Sequence, residues 1–218
     1  MAEKDGVTMK KLKWIGIIVG ILVLIVGLTV GLSLLTMYNA EYGFDHTVPP
    51  DEAINRSQMV HAAEGFLGCN EADGSHKEII DIYNAHEPLA QGYQVTYEDK
   101  WCATFVSAVA IECGFTDVIP TECSCQRQIE LFQKLGVWEE ADDYLPLPGD
   151  IIYYRIDGAQ LTGDCTAYAD HVGIVVGTNG NFIKVIEGNK NDEVAYRYLS
   201  VNDSIIRGYA IPDYGSAG

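Results

Sequence analysis

The chain has 218 residues, of which 48% are hydrophobic and 21% charged, so it is long enough for one globular domain and is neither a disordered nor a collagen-like chain. Acidic residues outnumber basic ones by 31 to 14, and the net charge is −17. This balance argues against nucleic acid as a partner, because an acidic surface repels a polyanion. Six cysteines are too few for a disulfide-dense miniprotein of this length.

An apolar segment near the N-terminus, residues 14–37, contains no charged residue. At about 1.5 Å per residue, a helix of this length exceeds the roughly 30 Å hydrocarbon core of a bilayer. A cleavable signal peptide is the alternative, but its apolar region is typically only about 7–15 residues and ends in a small-x-small site. The exit from this segment, LTMYNA, has no such site. The segment therefore predicts an uncleaved transmembrane helix that contacts the lipid bilayer.

The charges on either side of this segment predict its orientation. Four lysines precede it: Lys4, Lys10, Lys11 and Lys13. The residues that follow it carry acidic side chains and no basic one before Arg56. By the positive-inside rule, residues 1–13 form a cytoplasmic tail and the rest of a single-pass protein lies outside the membrane.

The remainder of the chain divides into a stalk and one folded domain. Residues 38–51 predict the stalk, because two successive prolines there stop a helix. Residues 52–214 form the domain, and residues 215–218 are its C-terminal tail.

Within this domain, helical patterns precede strand patterns. Helical periodicity predicts helices over 52–67, 76–84, 101–113 and 125–135. Short β-branched and aromatic runs predict strands over 151–154, 171–177, 181–188, 194–199 and 205–211. This order favours an α+β class, in which the helices pack against one antiparallel sheet.

Three of these predicted elements contain candidate catalytic residues. Cys102 falls in the first turn of a predicted helix, where free N–H groups and the helix dipole stabilise a thiolate. His171 begins an otherwise apolar strand, and histidine exchanges protons near neutral pH. Glu187 and Asn189 end the next strand, where either side chain would hold an imidazole in the correct tautomer. Each residue alone is more often structural, but their order favours a cysteine hydrolase.

Five segments in this chain closely resemble the CHAP-type amidases and peptidases: WCATFVSAVA, PGDIIYY, DHVGIVVG, VIEGN and IRGYAIPDY. These are papain-like cysteine hydrolases of bacterial peptidoglycan, related to the NlpC/P60 group, and the resemblance covers about residues 52–214. It implies Cys102 as nucleophile, His171 as general base and then acid, and Glu187 as the orienting carboxylate. Asn189 is a secondary polar position of the same motif.

The resemblance also implies peptidoglycan as the partner, cut at the muramoyl-L-alanine amide or within stem or cross-bridge peptides. With the apolar segment, it predicts a protein of the bacterial cell membrane whose catalytic domain is extracytoplasmic. Two alternatives stay open, namely an inactive anchored domain that binds wall peptides and a cysteine protease that acts on proteins. The intact set of Cys102, His171 and Glu187 argues against the inactive domain.

Neither a metal nor a cofactor is predicted. Some CHAP relatives hold Ca²⁺ through a D-x-D pattern just before the cysteine, and the stretch QGYQVTYEDKWC lacks it. Cys123 and Cys125 form a Cys-Ser-Cys sequence, and no CxxC…CxxC pairing supports a zinc site there. The oxyanion hole would include the Cys102 backbone N–H, with Tyr97 as a candidate side-chain partner. Cys165 is expected to belong to the scaffold, and the other histidines, His46, His61, His76 and His86, to be solvated.

The hairpin between HVGIVVG and NFIKVIEGN bears on the role of Glu187. A two-residue Asn179-Gly180 turn would place His171 and Glu187 on opposite faces of the sheet. A three-residue loop over 178–180 would shift the register by one and set His171 directly opposite Glu187. We therefore predict the three-residue loop, or a bulge elsewhere that restores this pairing.

Overall fold

The computed structural model describes residues 48–156 and 168–217. The predicted cytoplasmic tail, the apolar segment 14–37, most of the stalk and Cys165 therefore lie outside the described residues. Within the two described ranges, no helix combines the length and the apolar character that crossing a bilayer requires.

In the described part of the chain four α-helices come first, as the sequence predicts: α1 Ala53–Gly65, α2 Lys77–Asn84, α3 Cys102–Cys113 and α4 Cys125–Leu135. Helix α3 is the central one, because every residue from Cys102 to Ala110 is buried. The sequence predicts only one apolar stripe for this helix, but alanine, serine and threonine on its other faces let neighbouring elements approach closely. Helices α3 and α4 each end at a glycine with a φ of 74°, Gly114 and Gly136, where a Cβ would be strained.

Six strands follow and form one sheet: β1 Trp138–Glu139, β2 Ile151–Tyr154, β3 His171–Thr178, β4 Phe182–Lys190, β5 Glu193–Ser200 and β6 Ile206–Ala210. Their order is β1-β6-β2-β3-β4-β5, and each neighbouring pair is antiparallel. The sequence predicts five of these strands to within two residues at each end. The sixth, β1, has only two residues and carries no periodic signal. The α+β class and the antiparallel sheet are thereby confirmed.

The four helices cover one face of this sheet. The core between the two layers includes Met59, Ile79, Phe105, Val109, Ile129, Tyr153, Ile174 and Ile186. A smaller apolar cluster covers the other face and includes Ile152, Tyr154, Val175, Val185 and Tyr209. Because both faces are covered, strands β2 and β3 are buried along their whole length and show no alternation of polar and apolar residues.

The loop of the β3–β4 hairpin does not lie where the sequence predicts it. Residues 179–181 connect β3 to β4 and Thr178 pairs with Ile183, so the predicted three-residue loop over 178–180 is wrong. The Asn179 side chain accepts hydrogen bonds from the backbone N–H groups of Asn181 and Phe182, at 3.0 and 2.8 Å. This side-chain turn replaces the two-residue Asn-Gly turn that the dipeptide alone indicates.

A bulge in β3 then corrects the register. It lies between Val175 and Gly177, and beyond it Val175 pairs with Val185. A Cβ on Gly173 would lie 3.2 Å from the Cβ of Glu187, so Gly173, not His171, faces Glu187. Because side chains two residues apart share a face, His171 and Glu187 still lie on the same side of the sheet, as diagonal neighbours.

Candidate active site

Cys102 is the first residue of α3 and is nearly buried, with 6% of its surface exposed. Among the described residues, no side chain caps this helix start, so its first N–H groups are left to stabilise an anion. One of them, the backbone N–H of Ala103, helps to lower the pKa of the Cys102 thiol. The helix start therefore favours the thiolate form of Cys102.

His171 is the first residue of β3, and its ring lies between Cys102 and the carboxylate of Glu187. Its Nε2 lies 3.0 Å from Oε2 of Glu187, although the N–H direction is not aligned with that oxygen as a hydrogen bond requires. The His171 ring also packs against Tyr154, with ring centroids 5.4 Å apart. Because Nε2 faces the carboxylate, Nδ1 is the ring nitrogen that is left to face Cys102.

The surroundings of Cys102 hold the pKa of its thiol well below the usual range. The largest cause is the thiol of Cys125, whose sulfur lies 3.7 Å from that of Cys102. A hydrogen bond with His171 and the charge of its ring act in the same direction, and burial acts against them. Cys102 is therefore the side chain in this cluster that is best suited to act as a nucleophile.

Glu187 is fully buried, and its partner outside the predicted set is Arg197 on β5. The Arg197 Nε donates to both carboxylate oxygens, at 2.8 and 3.1 Å. Burial raises the pKa of Glu187 from 4.5 to about 7, although Arg197 and Lys190 favour the ionised form. Arg197 was not identified from the sequence. The feature that could have pointed to it is that Arg197 is the one basic residue in the predicted strand 194–199, within an acidic domain.

A close approach of β4 to α3 positions this carboxylate beside the cysteine helix. A Cβ on Gly188 would lie only 2.5 Å from the Cβ of Phe105 and 2.8 Å from the ring of Trp101. Glycine is therefore required at 188, and the residue before it is Glu187. The EGN motif thus combines the candidate carboxylate with a glycine that packs against the helix.

Residues 92–189 match the family model of the CHAP domain. This segment contains the three predicted catalytic residues on the elements that bring them together. Over these residues the chain is similar to the CHAP family. The resemblance noted in the sequence is confirmed, and at the family level such a domain belongs to amidases and peptidases of the peptidoglycan-hydrolase type. No curated protein and no solved structure matches the chain.

A cleft of about 190 Å³ opens at Cys102, the candidate nucleophile. The described residues that line it are Lys100, Cys102, Ile156, Asp170, His171, Asn189, Lys190, Asn191 and Arg197. Asn189 lies here with a φ of 57°, in the left-handed region that asparagine tolerates better than most residues. Arg56 and Val176 are among the residues that line a larger cavity of about 480 Å³, but none of the predicted catalytic residues lines it.

Two sequence-based assignments near this cleft are wrong. The Tyr97 hydroxyl donates to Asp81 at 2.8 Å, and Tyr97 is not among the described residues that line the cleft, so it is not an oxyanion donor here. His76 is buried rather than solvated, with its ring nitrogens near the carbonyl oxygens of Asn70 and Tyr97. Within the described ranges, no three histidine, cysteine or acidic side chains are clustered as a metal site.

Proposed function

We propose that this protein is a membrane-anchored, extracytoplasmic cysteine hydrolase that cleaves amide bonds of bacterial peptidoglycan. One observation carries the proposal, namely that His171 lies between a buried carboxylate and a cysteine whose pKa is strongly lowered. A domain that only binds wall peptides would gain nothing from this arrangement. Cys102 is the proposed nucleophile, His171 the general base and acid, and Glu187 the residue that orients the ring.

In the first half of the reaction, the imidazole of His171 takes the thiol proton, and the Cys102 sulfur attacks the carbonyl carbon of the substrate amide. The carbonyl oxygen becomes an oxyanion beside the N–H groups at the start of α3, including that of Cys102. The C–N bond then breaks as His171 returns its proton to the leaving nitrogen. A free amine departs, and the acyl group stays on Cys102 as a thioester.

In the second half, His171 takes a proton from water, and the resulting hydroxide attacks the thioester carbonyl. The C–S bond breaks, a carboxylic acid leaves, and the proton returns to the cysteine. The balance is one amide and one water converted into one acid and one amine. Glu187 stabilises the positive charge of the His171 imidazolium in both halves, and it does so only when it is ionised. Arg197 favours this ionised state.

The charges that line the cleft support a peptide substrate with free carboxylates. Three basic residues, Lys100, Lys190 and Arg197, line it against one acidic residue, Asp170, although the chain as a whole carries a net charge of −17. Stem peptides of peptidoglycan carry such carboxylates, and a cationic cleft would attract them. The same charges would disfavour a basic protein segment as the substrate.

The apolar segment 14–37 supports the anchor and the lysines before it support an extracytoplasmic domain. Protease added to intact spheroplasts should then remove the domain and leave a short membrane-bound fragment. Protection of the domain would contradict this orientation. Release of a free domain that begins near residue 40 would instead indicate a cleaved signal peptide.

The activity is tested with the full-length chain and purified muropeptides, whose new termini are identified by mass spectrometry. A new amine on L-alanine next to muramic acid would identify an amidase, and a cut between stem residues an endopeptidase. Cys102→Ala should abolish cleavage. Cys113→Ala is the matched control, because this thiol ends the same helix and burial raises its pKa to about 11. Cleavage by the Cys102 variant, or none by the wild type, would contradict the proposal.

A further inference from the structure

The catalytic cysteine has a second thiol in direct contact. Cys125 is the first residue of α4, as Cys102 is of α3, and their sulfur atoms lie 3.7 Å apart. Both residues are buried, and both are reduced thiols. A disulfide bond requires a sulfur–sulfur distance of about 2.0 Å, so a closure of less than 2 Å would join them.

The loop before α4 holds Cys125 in this position. The Ser107 hydroxyl donates to the carbonyl oxygen of Glu122 at 2.7 Å and accepts from its N–H at 2.9 Å. The Gln128 amide donates to the carbonyl oxygen of Pro120 at 3.0 Å, and the Tyr153 hydroxyl donates to Gln128 at 2.8 Å. These bonds tie the loop to α3 and to the sheet, and so hold Cys125 beside Cys102.

The two thiols differ in acidity and in access. Contact with Cys125 and His171 lowers the pKa of Cys102, whereas contact with Cys102 raises that of Cys125. Cys102 lines the cleft, and Cys125 is not among the described lining residues. A reagent in the cleft would therefore meet the Cys102 thiolate first, with the Cys125 thiol directly behind it.

The neighbouring cysteines have other contacts. The Cys123 thiol donates to Oε1 of Glu122, with its sulfur 3.7 Å away, and the Cys113 thiol donates to the carbonyl oxygen of Gln58. Burial raises the pKa of both thiols. Cys123 therefore provides a matched control, because it lies two residues before Cys125 and faces a carboxylate instead of the catalytic sulfur.

We propose that Cys102 and Cys125 form a reversible disulfide that inactivates the hydrolase when low-molecular-weight disulfides are present. The Cys102 thiolate attacks one sulfur of the reagent RSSR, which breaks the S–S bond and releases RS⁻. The Cys125 sulfur then attacks Cys102, displaces the second RS⁻, and closes the protein disulfide. The protons of the two cysteines end on the two RSH products, so the reagent is reduced and the protein pair oxidised.

The first test uses wild-type, full-length chain treated with 2-hydroxyethyl disulfide, then alkylated, digested and mapped by mass spectrometry. We expect a cross-linked pair of peptides that contain Cys102 and Cys125, with no reagent left on Cys102. Hydrolysis should be lost on treatment and return after reduction. Retention of the reagent on Cys102, or a bond from Cys102 to any other cysteine, would overturn the proposal.

The second test compares variants at neighbouring positions under the same treatment. Cys125→Ser and Cys125→Ala should retain the reagent on Cys102, because no thiol remains to displace it. Cys123→Ala should form the cross-link as the wild type does. Loss of the reagent from both Cys125 variants at the wild-type rate would overturn the proposal, and the wild-type map decides the matter if neither variant folds.

This inference goes beyond the proposed function, since the cross-link is measured without any substrate. A chain that forms the Cys102–Cys125 bond but cuts no muropeptide would contradict the hydrolase alone. A chain that cuts muropeptides but retains the reagent would contradict the disulfide alone.

Discussion

Two buried carboxylates in this domain are each paired with an arginine, yet only one of them lies at the site. Asp150 contacts Arg56, and Glu187 contacts Arg197. Both carboxyl groups are fully buried, and burial raises the pKa of both above the usual value. Burial, an arginine partner and a perturbed pKa therefore do not distinguish a structural carboxylate from a functional one.

The hydrogen-bond partners do distinguish them. Asp150 accepts from Arg56 at 2.7 Å on one oxygen, and from the Tyr144 hydroxyl and the Leu147 N–H at 2.7 and 2.8 Å on the other. All of these donors belong to the fixed structure around it, and Arg56 is itself only 2% exposed. Asp150 therefore ties α1 to the loop before β2.

Glu187 has fewer donors and a different neighbour. Arg197 donates to both of its oxygens, and Oε2 also faces the His171 ring. The Arg197 side chain is 24% exposed and lines the cleft. A buried carboxylate that retains an oxygen for a histidine beside a cleft is equipped for catalysis, whereas a fully bonded one is equipped for stability.

The largest expected effect comes from exchanging each carboxylate for its amide. Glu187→Gln should lower kcat/KM on muropeptides by about 10²–10⁴-fold, because the amide no longer balances the imidazolium charge. Asp150→Asn should instead lower the free energy of unfolding by about 1–3 kcal/mol, because Arg56 loses one of its two carboxylate partners and keeps Glu52. Urea titrations and initial rates measure both quantities for both variants.

The comparison fails if the two variants behave alike. Near-wild-type activity in Glu187→Gln would remove this residue from the catalytic set. Loss of activity in Asp150→Asn, measured where the variant is still folded, would mean that Asp150 acts in catalysis and not only in stability.

The pH dependence of stability should be the next largest effect. Because the pKa of Glu187 is about 7 in the folded protein and 4.5 ordinarily, the folded protein binds its proton more tightly. Its contribution to stability is fully present below about pH 4.5 and is lost as the pH rises through 7, by roughly 3 kcal/mol. Urea unfolding at pH 5 and at pH 8 should show this loss, and Glu187→Gln should reduce it. An equal slope in the variant would contradict the assignment.

Much of the fold follows from sequence pattern, because helix and strand periodicity report burial. The start of α3 at Cys102 and the strand that begins at His171 were both predictable, and so the site could be assembled by order along the chain. The long-range contacts were not predictable. Arg197 reaches Glu187 from β5, and Cys125 reaches Cys102 from another helix, through registers and loops that leave no local pattern.

The hairpin shows the same limit. The Asn-Gly dipeptide predicts a two-residue turn, yet the Asn179 side chain organises a loop over residues 179–181, and the bulge before Gly177 places His171 and Glu187 on the same face again. The common face was therefore correctly expected, and the direct pairing was not. Each local signal fixes a turn residue, but the register depends on packing along the whole of both strands.

Removing the Arg197 side chain should have a smaller effect on activity than removing the carboxylate of Glu187. Arg197→Ala takes away the charge that favours the ionised form of Glu187, so the pH at which activity is half-maximal should rise. At pH 6 the loss of kcat/KM should be on the order of tenfold, with recovery at higher pH. Arg197→Lys should restore part of the activity at pH 6. A uniform loss at every pH would indicate that Arg197 binds substrate and does not tune Glu187.

The smallest expected effects separate two tyrosines, the half-buried Tyr144 beside Asp150 and the buried Tyr154 near Glu187. Tyr144→Phe removes a hydroxyl that donates to Asp150 at 2.7 Å, and the cost should be about 1 kcal/mol, because the Leu147 N–H still bonds the same oxygen. Tyr154 packs on the His171 ring, and within the described residues its buried hydroxyl has no hydrogen-bond partner. Tyr154→Phe should therefore leave the free energy of unfolding unchanged or raise it slightly, and should keep the ring contact that positions His171. Thermal unfolding of the two variants measures this difference. If Tyr154→Phe were the more destabilising change, the region around Glu187 would be as fully bonded as the region around Asp150, and the contrast between the two carboxylates would not hold.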